Sequence, residues 1–254
     1  MISKKPFGLA IEKNNTMNLN YAIATFCFGD RYYDQTNRMI SSFETIQTPP
    51  EIFIITDNEN AINKKSFTKI KNVGEYNAKY LKYEKNYYSF DFSVKRFALQ
   101  FAFENEYCNV ILVDTDVTVN ESIYSHERIM ECFTENSIMG QVTYNFSNEI
   151  TNNSELGKRF VHYEKKFDVE FKKNLLDFMP EDCIQFISIS NDIKFKFLEI
   201  WDRCIKIKDK DKLRNTPAGN IDEMCFAALL NNIKVGNNSD KHINLLIPRH
   251  DKWY

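Results

Sequence analysis

Two carboxylates separated by one residue close the stretch Asn109-Val110-Ile111-Leu112-Val113-Asp114-Thr115-Asp116-Val117. Val110 to Val113 are apolar and mostly β-branched. A short unbroken apolar run of this kind suits a strand buried on both faces, as in a parallel sheet. An extended backbone sets residues i and i+2 on the same side, so Asp114 and Asp116 are expected to meet at the carboxyl end of that strand. Open α/β sheets hold their ligands at that end. Two like charges in close quarters repel, and a divalent cation relieves the repulsion. Mg²⁺ and Mn²⁺ favour carboxylate oxygen at about 2.1 Å and keep positions open for phosphate. The competing reading is a pair of aspartates that merely turn the chain after a strand.

A second acidic pair comes late. Asp222 and Glu223 open a helix whose Ile221, Met224, Cys225, Ala228 and Leu229 line one face. Phe226, Ala227 and Leu230 make most of the remainder apolar, and a helix apolar nearly all round is buried. A carboxylate in such surroundings needs a partner or a task. The rival reading is local: Asn220-x-x-Glu223 fits a capping box, and Asp222 complements the helix dipole. Lys95 and Arg96 lie beside an apolar stripe of Val94, Phe97, Ala98, Phe101 and Ala102. They would reach nucleotide phosphates or ribose, or form the basic surface of an amphipathic helix. The chain has no GxGxxG, no GxxxxGK[ST] and no GxSxG. Dinucleotide oxidoreductases, P-loop enzymes and α/β-hydrolases are therefore unsupported.

The elements that must position these groups follow in order. Residues 1 to 19 read as a tail, and 20 to 254 as one domain. Tyr21 to Gly29 is a buried strand ending in a glycine. Asp34 caps the next helix, whose stripe is Met39, Ile40, Phe43 and Ile46, and Pro49-Pro50 stops it. Glu51 to Thr56 is a second strand and Asp57-Asn58 a turn. This β-α-β opening builds a parallel sheet. By the carboxyl-end rule, a nucleoside is expected over the first two strands, near Thr25, Phe26, Cys27 and Asp57. Ser93 caps the helix that leads to the Asp114 strand. Further on come a helix over about 122 to 135, a strand over Ile138 to Tyr144 and a strand over Cys183 to Ser190. A long helix opened by Asn191 follows, with Phe197, Leu198, Trp201, Cys204 and Ile205 inward. Basic clusters such as Lys158-Arg159 and Lys172-Lys173 read as solvated faces on so neutral a chain. Lys206 to Arg214 reads as a charged loop.

Composition sets the outer bounds. The chain has 254 residues and a net charge of −2, so no basic field draws it to nucleic acid. Its six cysteines are scattered without a CxxC pair, which favours free, buried thiols in a reducing compartment. The first twenty residues lack the apolar core of a signal peptide, and no apolar run reaches the roughly 20 residues of a membrane helix. The expectation is a cytoplasmic protein.

The order of elements resembles a GT-A glycosyltransferase: a β-α-β start, a helix with basic residues, an apolar strand ending in Asp114-Thr115-Asp116, then Asp222-Glu223 on a late helix. The resemblance covers roughly residues 20 to 250. Gln185-Phe186-Ile187-Ser188-Ile189-Ser190, a helix, a loop and then Asp222-Glu223 is similar to retaining members such as the blood-group transferases. The family Gly-Gly of that strand and the Trp-His before the acidic pair are absent here. The resemblance implies an α/β, mostly parallel nucleotide-binding sheet flanked by helices, with an acceptor-side subdomain at the C-terminus. It implies a DXD motif using Mn²⁺ or Mg²⁺ at Asp114 and Asp116, and a strand at Gln185 that shapes the sugar pocket. Thr115 would contact the nucleotide-sugar, and Asp222 and Glu223 would face donor sugar and acceptor. In glycogenin-like members a C-terminal histidine completes the metal shell, for which His250 stands first and His242 second. His126 and His162 read as solvated. The implied activity is transfer of a sugar, with a tilt toward retention, from a nucleotide-sugar such as a UDP-sugar. The acceptor is a glycan, lipid-linked or other hydroxyl. A nucleotidyltransferase and a non-catalytic nucleotide- or sugar-binding module are the alternatives.

Overall fold

The computed structural model describes residues 20–72, 94–145, 155–172, 175, 178–211, 213, 221–237 and 245–248. Strand β1 (Tyr21–Cys27), helix α1 (Asp30–Phe43) and strand β2 (Ile52–Thr56) form the expected β-α-β opening. Helix α1 begins at Asp30, so Asp34 lies inside it and is not its cap. Gly29 makes the corner, with φ at 83°. Only glycine takes that left-handed value without strain. Nothing stands within 4 Å of where a Cβ would be, so conformation rather than space calls for glycine.

Strand β3 (Thr68–Asn72) precedes helix α2 (Lys95–Glu104), which leads into β4 (Asn109–Val113). Ser93, its expected cap, lies outside the described residues. A short strand β5 (Val117–Val119) follows at once. The helix expected over 122 to 135 shrinks to α3 (His126–Glu131), because Ser125 caps it by accepting the Arg128 N–H at 3.2 Å. Then come β6 (Ser137–Asn145), α4 (Glu155–Phe167), β7 (Phe178–Ser188) and α5 (Lys194–Lys210). Helix α6 (Ile221–Leu230) and strands β8 (Lys234–Asn237) and β9 (Leu246–Pro248) complete the described chain.

The described strands form a seven-stranded sheet in the order β3-β2-β1-β4-β7-β6-β8, and a two-stranded one from β5 and β9. β3, β2, β1 and β4 pair in parallel, and so do β6 and β8. β7 runs antiparallel to both β4 and β6, so it alone is reversed. The protein is thus α/β with a mostly parallel sheet covered on both faces. Strand alternation sorts the core into two layers. Ala22, Ala24 and Phe26 of β1 join α2, α4, α5 and α6 on one face. Tyr21, Ile23 and Cys27 join α1, α3 and β5 on the other. Val110, Ile111, Leu112 and Val113 are each at most 1% exposed. Full burial of such a side chain stabilises by about 1.5–3 kcal/mol. The strand that carries Asp114 is therefore fixed by the core on both its faces. No helix of the described residues is long and apolar enough to cross a membrane.

Candidate functional site

Strand β4 stops at Val113, and the carboxylates sit just beyond it. The Asp114 N–H donates to the Cys183 carbonyl at 3.0 Å, and the Val117 N–H donates back to the Asp114 carbonyl at 3.4 Å. The second bond closes a β-turn over Thr115 and Asp116. This corrects the expectation from strand alternation, which assumed extended backbone through Asp116. Both carboxylates leave one turn, at the carboxyl end of a central strand. Lys95, in the first turn of α2, sets its Nζ 2.8 Å from Asp114 Oδ1. The lysine side chain is 2% exposed and the aspartate 22%. A buried ammonium must be paired, because desolvation of a lone charge costs far more than folding supplies. The cation lies beneath and the carboxylate fronts the solvent. Asp116 is half-buried.

The residues expected around a nucleoside divide into two groups. Thr25, Phe26 and Cys27 are core: all three are buried, and Thr25 Oγ1 donates to the Val113 carbonyl at 2.9 Å. Burial pushes the Cys27 thiol up to about 12. The Thr25 side chain thus holds the end of β4 in place, while Phe26 and Cys27 pack into the two core layers. Asp57 is exposed at the end of β2, where its Oδ1 accepts the Tyr33 hydroxyl at 2.6 Å. Burial first, then this carboxylate, raises the Tyr33 phenol to about 12. Arg96 pairs with Asp202 of α5 at 3.0 Å and stacks over Phe97.

The structure adds a residue that sequence reasoning passed over. Thr115 is 4% exposed, and its hydroxyl donates to Gln35 Oε1 at 2.8 Å. Gln35 is 6% exposed, on the inward side of α1. An amide among Tyr33, Thr36, Met39 and Ile40 was the available signal.

Asp222 and Glu223 are both fully buried. Arg159 of α4 sets Nη1 2.8 Å from Asp222 Oδ2 and 3.4 Å from Glu223 Oε1. The Tyr163 hydroxyl lies 3.2 Å from Glu223 Oε1, and Lys208 Nζ lies 3.7 Å from Oε2. Two cations thus meet two anions in a closed core network. This corrects the reading of Lys158-Arg159 as a wholly solvated cluster and of Lys206 to Arg214 as a loop, since α5 continues to Lys210. The placement gives the acidic pair a task in joining α4, α5 and α6, away from solvent. Asn220, the proposed capping partner, lies outside the described residues.

Desolvation holds the Glu223 carboxyl above its ordinary value of 4.5, although Lys208 and Arg159 pull it down. A carboxyl raised in the folded state keeps a proton that the unfolded state releases. Its stabilising contribution is therefore full below the ordinary value and is lost as pH rises through the folded one. Urea midpoints measured upward from pH 4.5 are expected to fall more in the wild type than in Glu223→Gln. Parallel curves would show that Glu223 ionises freely in the fold.

Gln185 is fully buried in β7, opposite Leu112 of β4, so it lies within the sheet rather than on an open wall. His250 and His242 lie outside the described residues. His126 and His162 both have partners: Tyr21 Oη is 2.7 Å from His126 Nδ1, and Asp211 Oδ2 is 2.7 Å from His162 Nε2. Among the described residues no cluster of three His, Cys, Asp or Glu side chains could hold a metal. Asp114 and Asp116 nonetheless offer hard oxygen donors of the kind Mg²⁺ uses in ones and twos, with phosphate and water filling the other positions. A polar groove lined by Arg31, Asp34, Arg38 and Thr118 runs along α1 and includes neither Asp114 nor Asp116. No family model matches the chain, and no curated protein matches it in sequence.

Proposed function

We propose that the chain is a metal-dependent glycosyltransferase of GT-A type. It would move a sugar from a nucleotide diphosphate sugar, with UDP-sugars the first to test, to the hydroxyl of a glycan, lipid-linked or other acceptor. The observation that carries this reading is the acidic turn Asp114–Val117 at the carboxyl end of a central parallel strand, with the buried Lys95 against it. A mostly parallel α/β sheet alone hosts many functions and decides nothing. A divalent cation on Asp114 and Asp116 would supply Lewis-acid neutralisation of the departing diphosphate. Lys95 holds Asp114 in a fixed orientation and adds a positive charge that does not depend on the cation. Asp57 at the end of β2, two strands from β4, and Tyr33 of α1 would offer hydrogen bonds to a ribose or base. Fixed donors and charges of this kind stabilise charge that develops in the transition state without reorganising.

The tilt toward retention rested on Asp222 and Glu223, and their closure in an ion network gives it no support. The same closure favours a second reading, in which the chain binds a nucleotide-sugar without transferring it. A panel of nucleotide-sugars with Mn²⁺, read by thermal shift and by hydrolysis, separates the two. A ligand at about a hundred times its Kd stabilises by about 2.7 kcal/mol, or roughly 5–10 °C for a chain of this size. A shift with Mn²⁺-dependent hydrolysis supports the transferase, and a shift alone supports the binding module. No shift with any member of the panel would remove both.

A further inference from the structure

We propose that the polar groove along α1 is a carbohydrate-binding site, in which the Asp34 carboxylate and the buried Thr118 hydroxyl pair with sugar hydroxyls. The proposal goes beyond the transferase reading and does not depend on it, since the groove includes neither Asp114 nor Asp116. The groove has a volume of about 830 Å³, within the range of about 300–1,000 Å³ usual for small-molecule sites. From Arg31 to Ser41 its α1 wall covers ten residue steps, about 15 Å of helix. Its walls are tied to one another. Asn37 Nδ2 donates to the Ala61 carbonyl at 2.9 Å, and Asn37 Oδ1 accepts the Asn63 N–H at 2.8 Å. Ser42 Oγ accepts the Val119 N–H at 3.1 Å, which joins β5 to α1. The groove is therefore a formed feature of the fold.

Thr118 closes the groove on the β5 side. Alternation sends Val117 and Val119 into the core and turns Thr118 to the opposite face of β5. There its hydroxyl is buried, and it has no hydrogen-bond partner among the described residues. Leaving such a group unpaired is costly, and a valine of nearly the same shape would avoid the cost. An occupant of the groove that pairs with the hydroxyl accounts for it. The wall selects the occupant. No side chain lining the groove is apolar, so a lipid or an aromatic ring finds little to pack against. Arg31 and Arg38 stand on either side of Asp34 along the helix. Both guanidinium groups have contacts within the protein, and the ligand is selected by the groups between and beyond them. A bare phosphate or sulfate only accepts hydrogen bonds, and an ionised Asp34 has only acceptors to offer it. Sugar hydroxyls both donate and accept. They satisfy the Asp34 carboxylate, the Ser41 and Thr118 hydroxyls and the Asn63 amide together.

The test titrates maltotriose, cellotriose, mannotriose and inorganic phosphate into the full chain. Binding is read by saturation-transfer NMR, and thermal midpoints are recorded without ligand. The wild type is expected to bind at least one trisaccharide and to prefer it to phosphate. Asp34→Ala is expected to weaken that binding at least about tenfold, the scale of a hydrogen bond to a charged group. Thr118→Val is expected to weaken it about fivefold while its midpoint stays at or above that of the wild type, because the lost hydroxyl has no partner in the fold. Asp116→Asn, outside the groove, should bind the sugar as the wild type does. A wild type that binds no trisaccharide, or binds phosphate in preference to all three, overturns the proposal. So does sugar affinity untouched by Asp34→Ala and Thr118→Val, which would place the sugar elsewhere. A Thr118→Val midpoint that falls in step with affinity would make the hydroxyl a structural group and overturn its role in the groove.

Discussion

Replacing Arg159 by methionine is expected to cost about 3–5 kcal/mol of folding free energy, the usual penalty for stranding one partner of a buried ion pair. Arg159 is 4% exposed and serves two carboxylates that are 0% exposed. Without it, both carboxylates lose the guanidinium, and Glu223 keeps the Lys208 ammonium at 3.7 Å. Either a carboxyl takes a proton or the helices part to admit water, and both are costly at neutral pH. Methionine keeps much of the apolar volume, so the effect reports charge more than cavity. Lys158→Met is the control, because Lys158 is exposed and surface changes stay within about 0.5 kcal/mol. Arg159→Lys should rescue in part, since both contacts come from the one nitrogen Nη1 and an ammonium supplies the same charge on a different stem. Urea denaturation at pH 7 measures all three. A loss below about 1 kcal/mol in Arg159→Met would show that the network is open to water.

The same residue shows where the sequence was legible. Lys158-Arg159 reads as a basic cluster because two charges stand together. On a helix, neighbours point about 100° apart, so one can be solvated and the other buried. The phase was present: Phe160, Tyr163 and Phe167 follow helical spacing, and Arg159 stands four residues before Tyr163, on the same side. The pairing was not legible, because its partners lie more than sixty positions away. Long apolar or periodic runs were read correctly: β1, β2, β4 and the helix from Ile221 all stand where their patterns put them. Strands β3, β5, β8 and β9 are three to five residues long and owe their existence to partners, not to pattern. The turn at Asp114 was half legible. The strand end and its acidic character were plain, but the anchoring of Thr115 to Gln35 joins residues eighty positions apart.

Asp116→Asn is expected to abolish Mn²⁺ binding and to cut Mn²⁺-dependent hydrolysis of a nucleotide-sugar by at least about 10²-fold, roughly 2.7 kcal/mol of transition-state stabilisation. Its stability should stay within about 0.5 kcal/mol of wild type. The substitution is chosen for what it keeps. Asparagine suits turns as well as aspartate does, so the Asp114–Val117 turn survives and only the charge is removed. If the aspartates merely turn the chain, Asp116→Asn is silent in every assay. Asp114→Asn makes a contrasting prediction. The carboxylate it removes is the partner of Lys95, an ammonium 2% exposed. An amide oxygen still accepts one hydrogen bond but brings no charge, so this variant is expected to lose about 2 kcal/mol of stability along with function. The pair therefore separates position from chemistry, because the buried ammonium is the partner of Asp114. Two variants equally destabilised would place Asp116 in the structural network as well. Two variants both stable and both active would return the turn to a simple change of chain direction.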